Sequence, residues 1–220
     1  MNVAVTGSRG FVGKNLMEGL KDYNVFEFNR DDELDFEFIH TVIHLACDAD
    51  SRNSTRSFPF SVENNTGIFT DVLAEAVKQK VKRFIYVSSI EAETEHTIYA
   101  VCKATNEKIL RLVAEEQGME YVIIRPCNLY GKYMDLDDPR RNVVANFLKA
   151  IKENKKLPIT NGDKAYPFTY VQVLIDNIVS SLTENTNMTI RVGSTLYISI
   201  YDLAMLLEGI TTTWDWVKQV

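Results

Sequence analysis

Tyr99 and Lys103 stand four residues apart in "IYAVCK", a spacing that places both on one face of a helix. A phenol with an ordinary pKa of about 10 exchanges protons poorly at neutral pH unless a cation beside it shifts the balance. Lys103 supplies such a cation and can also hydrogen-bond a ribose. Ahead of the pair, Ser88 and Ser89 close the run "RFIYVSS", at the carboxyl end of a strand, where open α/β sheets bind ligands. A hydroxyl, a phenol and an ammonium together suit proton exchange on a substrate oxygen. Y-x-x-x-K alone occurs in many helices, so its place in the chain says more than its spacing.

The stretch "NVAVTGSRGFVGKNLMEGL" (2–20) sets Gly7, Gly10 and Gly13 after an apolar run and at the opening of a helical pattern, with Val12, Leu16, Met17 and Leu20 on one face. There, Gly7 allows a tight turn, Gly10 lets the main chain approach a pyrophosphate, and Gly13 lets the helix pack on the sheet. The pyrophosphate then rests on the N–H groups of the helix N-terminus. A triphosphate-binding G-x-x-x-x-G-K-[ST] loop fails, with Ser8 five residues before Gly13 and Asn15 after Lys14. A purely structural glycine turn is the competing reading. The second strand ends "FEFNR", so Asn29 and Arg30 occupy the place where an acid holds the ribose 2′-hydroxyl of NAD. Arg9 approaches the same place from the glycine turn, and two guanidiniums suit the 2′-phosphate of NADP(H). NADP(H) is the expected cofactor. NAD is the alternative if Arg9 is a solvated charge and Asp31 or Asp32 does the acid's work.

These groups need a scaffold, and the sequence alternates accordingly. Apolar runs at 2–6, 24–28, 41–46, 83–89 and 120–126 read as strands. Helical patterns cover 10–20, 58–80, 99–117, 142–153, 171–182 and 199–207, with a further short strand near Leu157. Such alternation implies a doubly wound parallel sheet of Rossmann type, in one domain over 1–220. Between the second and third strands "RDDELDFEFIH" has room for little more than one helical turn, so the sheet is abbreviated there. The composition, 45% hydrophobic and 25% charged, is that of a soluble globular protein, and the net charge of −6 disfavours non-specific nucleic-acid binding. No apolar run is long enough for a bilayer, no signal peptide precedes the first strand, and three cysteines without C-x-x-C spacing suit buried, reduced thiols, so a cytoplasmic location is expected. His40 and His44 lie on a strand without a third ligand, so no metal site is expected. Trp214 and Trp216 read as packing residues.

The order glycine turn, strand-end serine, Tyr-x-x-x-Lys resembles the active-site layout of the short-chain dehydrogenase/reductase superfamily. The G-x-x-G-x-x-G spacing resembles its extended branch, the NAD-dependent epimerase/dehydratase family that acts on nucleotide sugars. "VIHLA", "NNTG", "RPCNLYG", "YPFTYVQV" and "ISIYDLAMLL" look like family motifs in family order, over about residues 1–208. The resemblance implies Ser89 as the catalytic hydroxyl, Tyr99 as the acid/base and Lys103 as its partner. It implies cofactor contacts from Gly7, Arg9, Gly10, Phe11, Val12 and Gly13 in the turn, and from Asn29, Arg30, Leu45 and Ala46 at the next strand ends. Ser88, Tyr99, Lys103, Pro126 and Asn128 complete that set, the main chain after Pro126 holding the nicotinamide and Asn64 supporting the Tyr-Lys helix. It also implies a cofactor core over about 1–127 and 142–182, a reduced C-terminal substrate lobe over about 128–141 and 157–220, and a homodimer through the helices at 58–80 and 99–117.

Three chemistries share this machinery: epimerisation, 4,6-dehydration and reduction of a keto-sugar. Dehydratases of the family follow the catalytic hydroxyl with Asp-Glu; here Ile90 and Glu91 follow, which disfavours elimination. The NADP(H) expectation favours a reductase that exchanges its cofactor each turnover over an epimerase that retains NAD. Within the family, "SSIEAETEHTIYAVCK" and "CNLYGKY" look like the reductase domain of the enzymes of capsular N-acetyl-fucosamine synthesis. The family's Arg-Asp before Phe is Tyr166-Pro167, so the usual diphosphate arginine is missing. Asn128, Lys164, Arg140 and Arg141 are the substrate-side candidates. A non-catalytic NADP-binding sensor is the reading from another class, and the intact Ser89, Tyr99 and Lys103 argue against it.

Overall fold

The computed structural model of the chain describes residues 1–30, 32–50, 57–138, 142–184 and 186–211. Six parallel strands form the central sheet: β1 (Asn2–Thr6), β2 (Asn24–Phe28), β3 (Thr41–His44), β4 (Arg83–Val87), β5 (Glu120–Pro126) and β9 (Met188–Val192), in the order β2-β1-β3-β4-β5-β9. The inner strands are apolar on both faces, as a sheet covered on both sides requires. Ala4, Val42, Phe84 and Tyr86 point to one side, where α3 (Ile68–Lys78) and α4 (Ile98–Gln117) pack with Phe69, Leu73 and Leu110. Val3, Val5, Ile43, Ile85 and Ile124 point to the other, against Leu16 of α1 (Phe11–Gly19) and Leu174, Ile175 and Ile178 of α6 (Val171–Ser180). This is the doubly wound Rossmann-type architecture read from the alternation.

The link from β2 to β3 has no helix among its described residues. Instead Phe36 inserts, fully buried and edge-on to Phe28 at 5.1 Å, and covers the sheet where a helix would lie. The pattern over 58–80 is not one helix. It runs as α2 (Phe58–Val62), a π-turn (Glu63–Gly67) and α3. The buried Asn65 explains the bulge: its amide donates to Ser61 O at 2.8 Å and Asp48 O at 3.2 Å, while its own carbonyl accepts from Asn106 Nδ2 on α4 at 3.0 Å.

The remaining elements form a smaller layer over the carboxyl edge. They are β6 (Leu129–Tyr130), α5 (Val143–Lys152), β7 (Ala165–Tyr166), β8 (Thr169–Tyr170), β10 (Ile198–Ser199) and α7 (Ile200–Thr211). Their own apolar cluster joins Phe147 and Leu148 to Phe168, Leu203 and Ala204. Other readings of the sequence need correction here. The described residues around Leu157 form no strand, the short strand lying at Ala165–Tyr166, and β9 was not anticipated at all. Cys102 and Cys127 are buried thiols, whereas Cys47 is exposed. No described helix is long and apolar enough to cross a membrane.

Candidate active site

The glycine turn lies between the ends of β1 and β3. Gly7 sits at φ +77°, and a Cβ there would lie 2.9 Å from the main chain of Ala46. Leu45 follows, its N–H bonded to Thr6 O at 3.1 Å, so Leu45 and Ala46 run directly across the turn. At Gly13 a Cβ would meet the carbonyl oxygens of Gly7 and Ser8 at 2.4 Å, which makes glycine a packing requirement. Gly10 differs: its φ is −74°, and a Cβ would touch only Gly7 O at 3.4 Å. Among the described residues no neighbour demands glycine at 10, which fits a ligand approaching from outside. The first bond inside α1 runs from Lys14 N–H to Gly10 O, so the N–H groups of Phe11, Val12 and Gly13 have no acceptor within the helix. The turn therefore fits a pyrophosphate.

At the end of β2, Asn29 is engaged with the turn itself. Its Oδ1 accepts from the Arg9 main-chain N–H at 3.4 Å, and its Nδ2 donates to Ser8 Oγ at 3.3 Å. The Asn29 N–H is held by Asp32 Oδ2 at 2.7 Å. Arg9 and Arg30 are both exposed at this place, and Arg30 Nη2 donates to Asn64 Oδ1 at 3.0 Å. Asn64 thus turns toward Arg30 and Phe60; the contact expected of it with the Tyr-Lys helix is made by Asn65, through its carbonyl to Asn106. Asp31, Arg140, Arg141, Trp214 and Trp216 lie outside the described residues.

Ser88, Ser89, Tyr99 and Lys103 converge where β4 meets α4. Thr97 caps α4 by accepting from Ala100 N–H at 3.1 Å, which starts the helix at Ile98, one residue before Tyr99. The Ser89 hydroxyl accepts from Glu91 N–H at 3.2 Å, leaving its own proton to donate. Lys103 is buried; its Nζ donates to Val87 O at 2.9 Å and lies 4.9 and 5.7 Å from the ring centres of Tyr86 and Tyr99. Burial pushes the Tyr99 phenol well above its ordinary value, and the Lys103 charge opposes that rise. Burial alone would lower the Lys103 ammonium, but the ionisable neighbours Cys47, Tyr86 and Tyr99 hold it above its ordinary value, so it stays charged. Burial and the Lys103 charge also push His44 down to about 3, so its ring, 2.8 Å from Thr6 Oγ1, is neutral.

Sequence reasoning missed Glu107. Buried on α4, it accepts from Ser88 Oγ at 2.6 Å, from Arg125 Nε at 2.8 Å and from Arg111 Nη2 at 3.0 Å. Burial would raise its carboxyl, but these donors hold it below the ordinary range. Arg125 also reaches Glu93, which binds Arg191 of β9, so one network ties the segment after Ser89 to β5 and β9. The signal was present: Tyr99, Lys103, Glu107 and Arg111 follow one another every four residues.

Just past β5, Asn128 Nδ2 donates to Pro167 O at 2.9 Å, and its carbonyl accepts from Thr169 N–H at 3.2 Å. The end of β5 and the "YPFTY" segment are thereby brought together. Lys164 is exposed ahead of β7, its carbonyl bonded to Ile200 N–H at the start of α7.

A parallel sheet carrying this turn at the carboxyl edge of its first strand defines a Rossmann-type nucleotide-binding protein. The chain belongs to the NAD-dependent epimerase/dehydratase family, whose sequence model matches residues 3–193. It is 30% identical over 203 residues to a UDP-glucose 4-epimerase of Vibrio cholerae, covering 73% of this chain and 59% of that one. It is 27% identical over 214 residues to a UDP-2-acetamido-2,6-beta-L-arabino-hexul-4-ose reductase of Pseudomonas aeruginosa, covering 93% of this chain and 56% of that one. Among solved structures, the UDP-glucose 4-epimerase of Thermotoga maritima with UDP-glucose superimposes with a TM-score of 0.89 at 22% identity, over 96% of this chain and 83% of that one. The chain thus spans under two thirds of the length of the two curated relatives.

Proposed function

We propose that the chain is an NADPH-dependent reductase of a 4-keto nucleotide sugar. The observation that carries this reading is the end of β2: Asn29 stands where an acid would select NAD, its side chain is used to hold the glycine turn, and Arg9 and Arg30 are exposed beside it. Arg9 and Arg30 hold the adenosine 2′-phosphate, and the N-terminus of α1 holds the pyrophosphate. Bound NADPH supplies the hydride for the keto carbon. Tyr99 gives the proton to the keto oxygen, and burial, by keeping the phenol protonated at neutral pH, suits a donor. Ser89 donates its hydroxyl proton to the same oxygen, and Lys103 offsets the phenolate that Tyr99 leaves behind.

Asn128 contacts the phosphate side of the nucleotide sugar, and Lys164, Arg140 or Arg141 takes the place of the missing family arginine. A homodimer belongs to the same reading: Leu112, 68% exposed on α4, offers apolar surface for a second copy. An NAD-retaining 4-epimerase is the second reading, favoured by the 30% identity to the Vibrio cholerae enzyme. The test is Tyr99→Phe, assayed against UDP- and GDP-linked 4-keto sugars. Turnover falls by more than a hundredfold, the order expected for losing a positioned proton donor, while NADPH affinity stays within about twofold. Loss of NADPH binding, or unchanged turnover, contradicts the assignment.

A further inference from the structure

Asn64 is buried in the π-turn, and both ends of its amide are engaged. Nδ2 donates to Phe60 O at 2.8 Å, one helical turn back, and Oδ1 accepts from Arg30 Nη2 at 3.0 Å. The first bond fixes the amide on its own helix. The second holds one corner of an exposed guanidinium that comes from the far side of β1, since β2 lies at the sheet edge. An arginine on a strand end has a long stem with many rotamers, and ordering it costs entropy when a ligand binds. An acceptor that already holds one N–H removes part of that cost and leaves the other donors for a phosphate.

We infer that Asn64 is a positioning residue for cofactor choice: it pre-orders Arg30 toward the adenosine 2′-phosphate, so that replacing it weakens NADPH binding and spares NADH. This rests on the reading of Arg9 and Arg30 as a 2′-phosphate site. Asn64 itself touches no phosphate. Its effect passes through Arg30 and disappears when Arg30 is removed.

The experiment is fluorescence titration with NADPH and with NADH on the wild type, Asn64→Ser, Arg30→Ala and the double variant. Serine keeps a bond to the Phe60 carbonyl, as helical serines bond the i−4 carbonyl, but is too short to hold Arg30. The expected result is about a fivefold loss of NADPH affinity, the scale of one net hydrogen bond, with NADH within about twofold. In the Arg30→Ala background the serine has no further effect on the ratio. The urea midpoint of Asn64→Ser, measured beside the wild type, guards against a folding defect. Equal weakening of both cofactors, or a selective loss on Arg30→Ala with none on Asn64→Ser, overturns the inference alone. A wild type that binds both cofactors equally overturns the 2′-phosphate reading first, and the inference with it.

Discussion

Gly10 and Gly13 look alike in the sequence and answer to different constraints. A Cβ at Gly13 collides with two carbonyl oxygens at 2.4 Å, so Gly13→Ala has to displace main chain, at a cost of about 2 kcal/mol or more, read as a lower urea midpoint. A Cβ at Gly10 has room, so Gly10→Ala leaves the urea midpoint nearly unchanged while NADPH affinity drops about tenfold or more from the lost close approach. If Gly10→Ala binds NADPH normally, the turn does not hold a pyrophosphate. Glu107 carries another residue-scale prediction. Glu107→Ala leaves Arg125 and Arg111 without their shared carboxylate and should cost about 3 kcal/mol, the scale for breaking a buried ion pair. Residue types and spacing singled out Gly7, Gly10, Gly13, Ser89, Tyr99 and Lys103 as candidates. They did not reveal that Ser88 binds Glu107 or that Arg30 binds Asn64, because such contacts join residues far apart in the chain.

Among the elements, the long ones were legible and the short ones were not. β5 spans the very residues read from "EYVIIRP", and α4 matches its pattern to within a residue, because continuous apolar runs and sustained periodicity survive any register of packing. β9 was missed because it is the edge strand: Met188 and Arg191 are exposed, so "MTIRV" reads as half polar. β6, β7, β8 and β10 have two residues each, too few for any period. The π-turn was missed since its cause, Asn65 bonding Asp48 and Ser61, is a side-chain event inside an otherwise helical pattern. The start of α4 deserves a test because it sets the height of Tyr99. Thr97→Ala removes the cap on Ala100 N–H and should lower stability by about 1 kcal/mol, with Thr97→Ser close to neutral, both measured by urea unfolding. Equal loss in both variants contradicts a capping role.

For the molecule as a whole, burial of ionisable groups on the α3–α4 side fixes how stability follows pH. His44 titrates at about 3 in the folded chain against an ordinary 6.5, so below 6.5 the unfolded chain takes up a proton that the folded chain refuses. Stability is full above 6.5 and declines as pH falls toward 3, by at most about 5 kcal/mol. Glu93 and Glu107 add to this below their ordinary 4.5, since their lowered carboxyls favour the folded state only while ionised. Urea midpoints should therefore fall between pH 6.5 and 4.5, and His44→Phe should flatten that range; an unchanged slope contradicts a neutral buried His44. The central claim, an NADPH-dependent reductase, rests on Arg9 of the glycine turn and Arg30 just past β2. Its most direct test is fluorescence titration of the purified protein with NADPH and NADH, repeated on Arg9→Ala. The account predicts NADPH binding tighter by about tenfold or more, equivalent to about 1.4 kcal/mol, and loss of that margin without Arg9. Equal affinities, or NAD that purifies with the protein and resists removal, contradict it and leave the epimerase reading in its place.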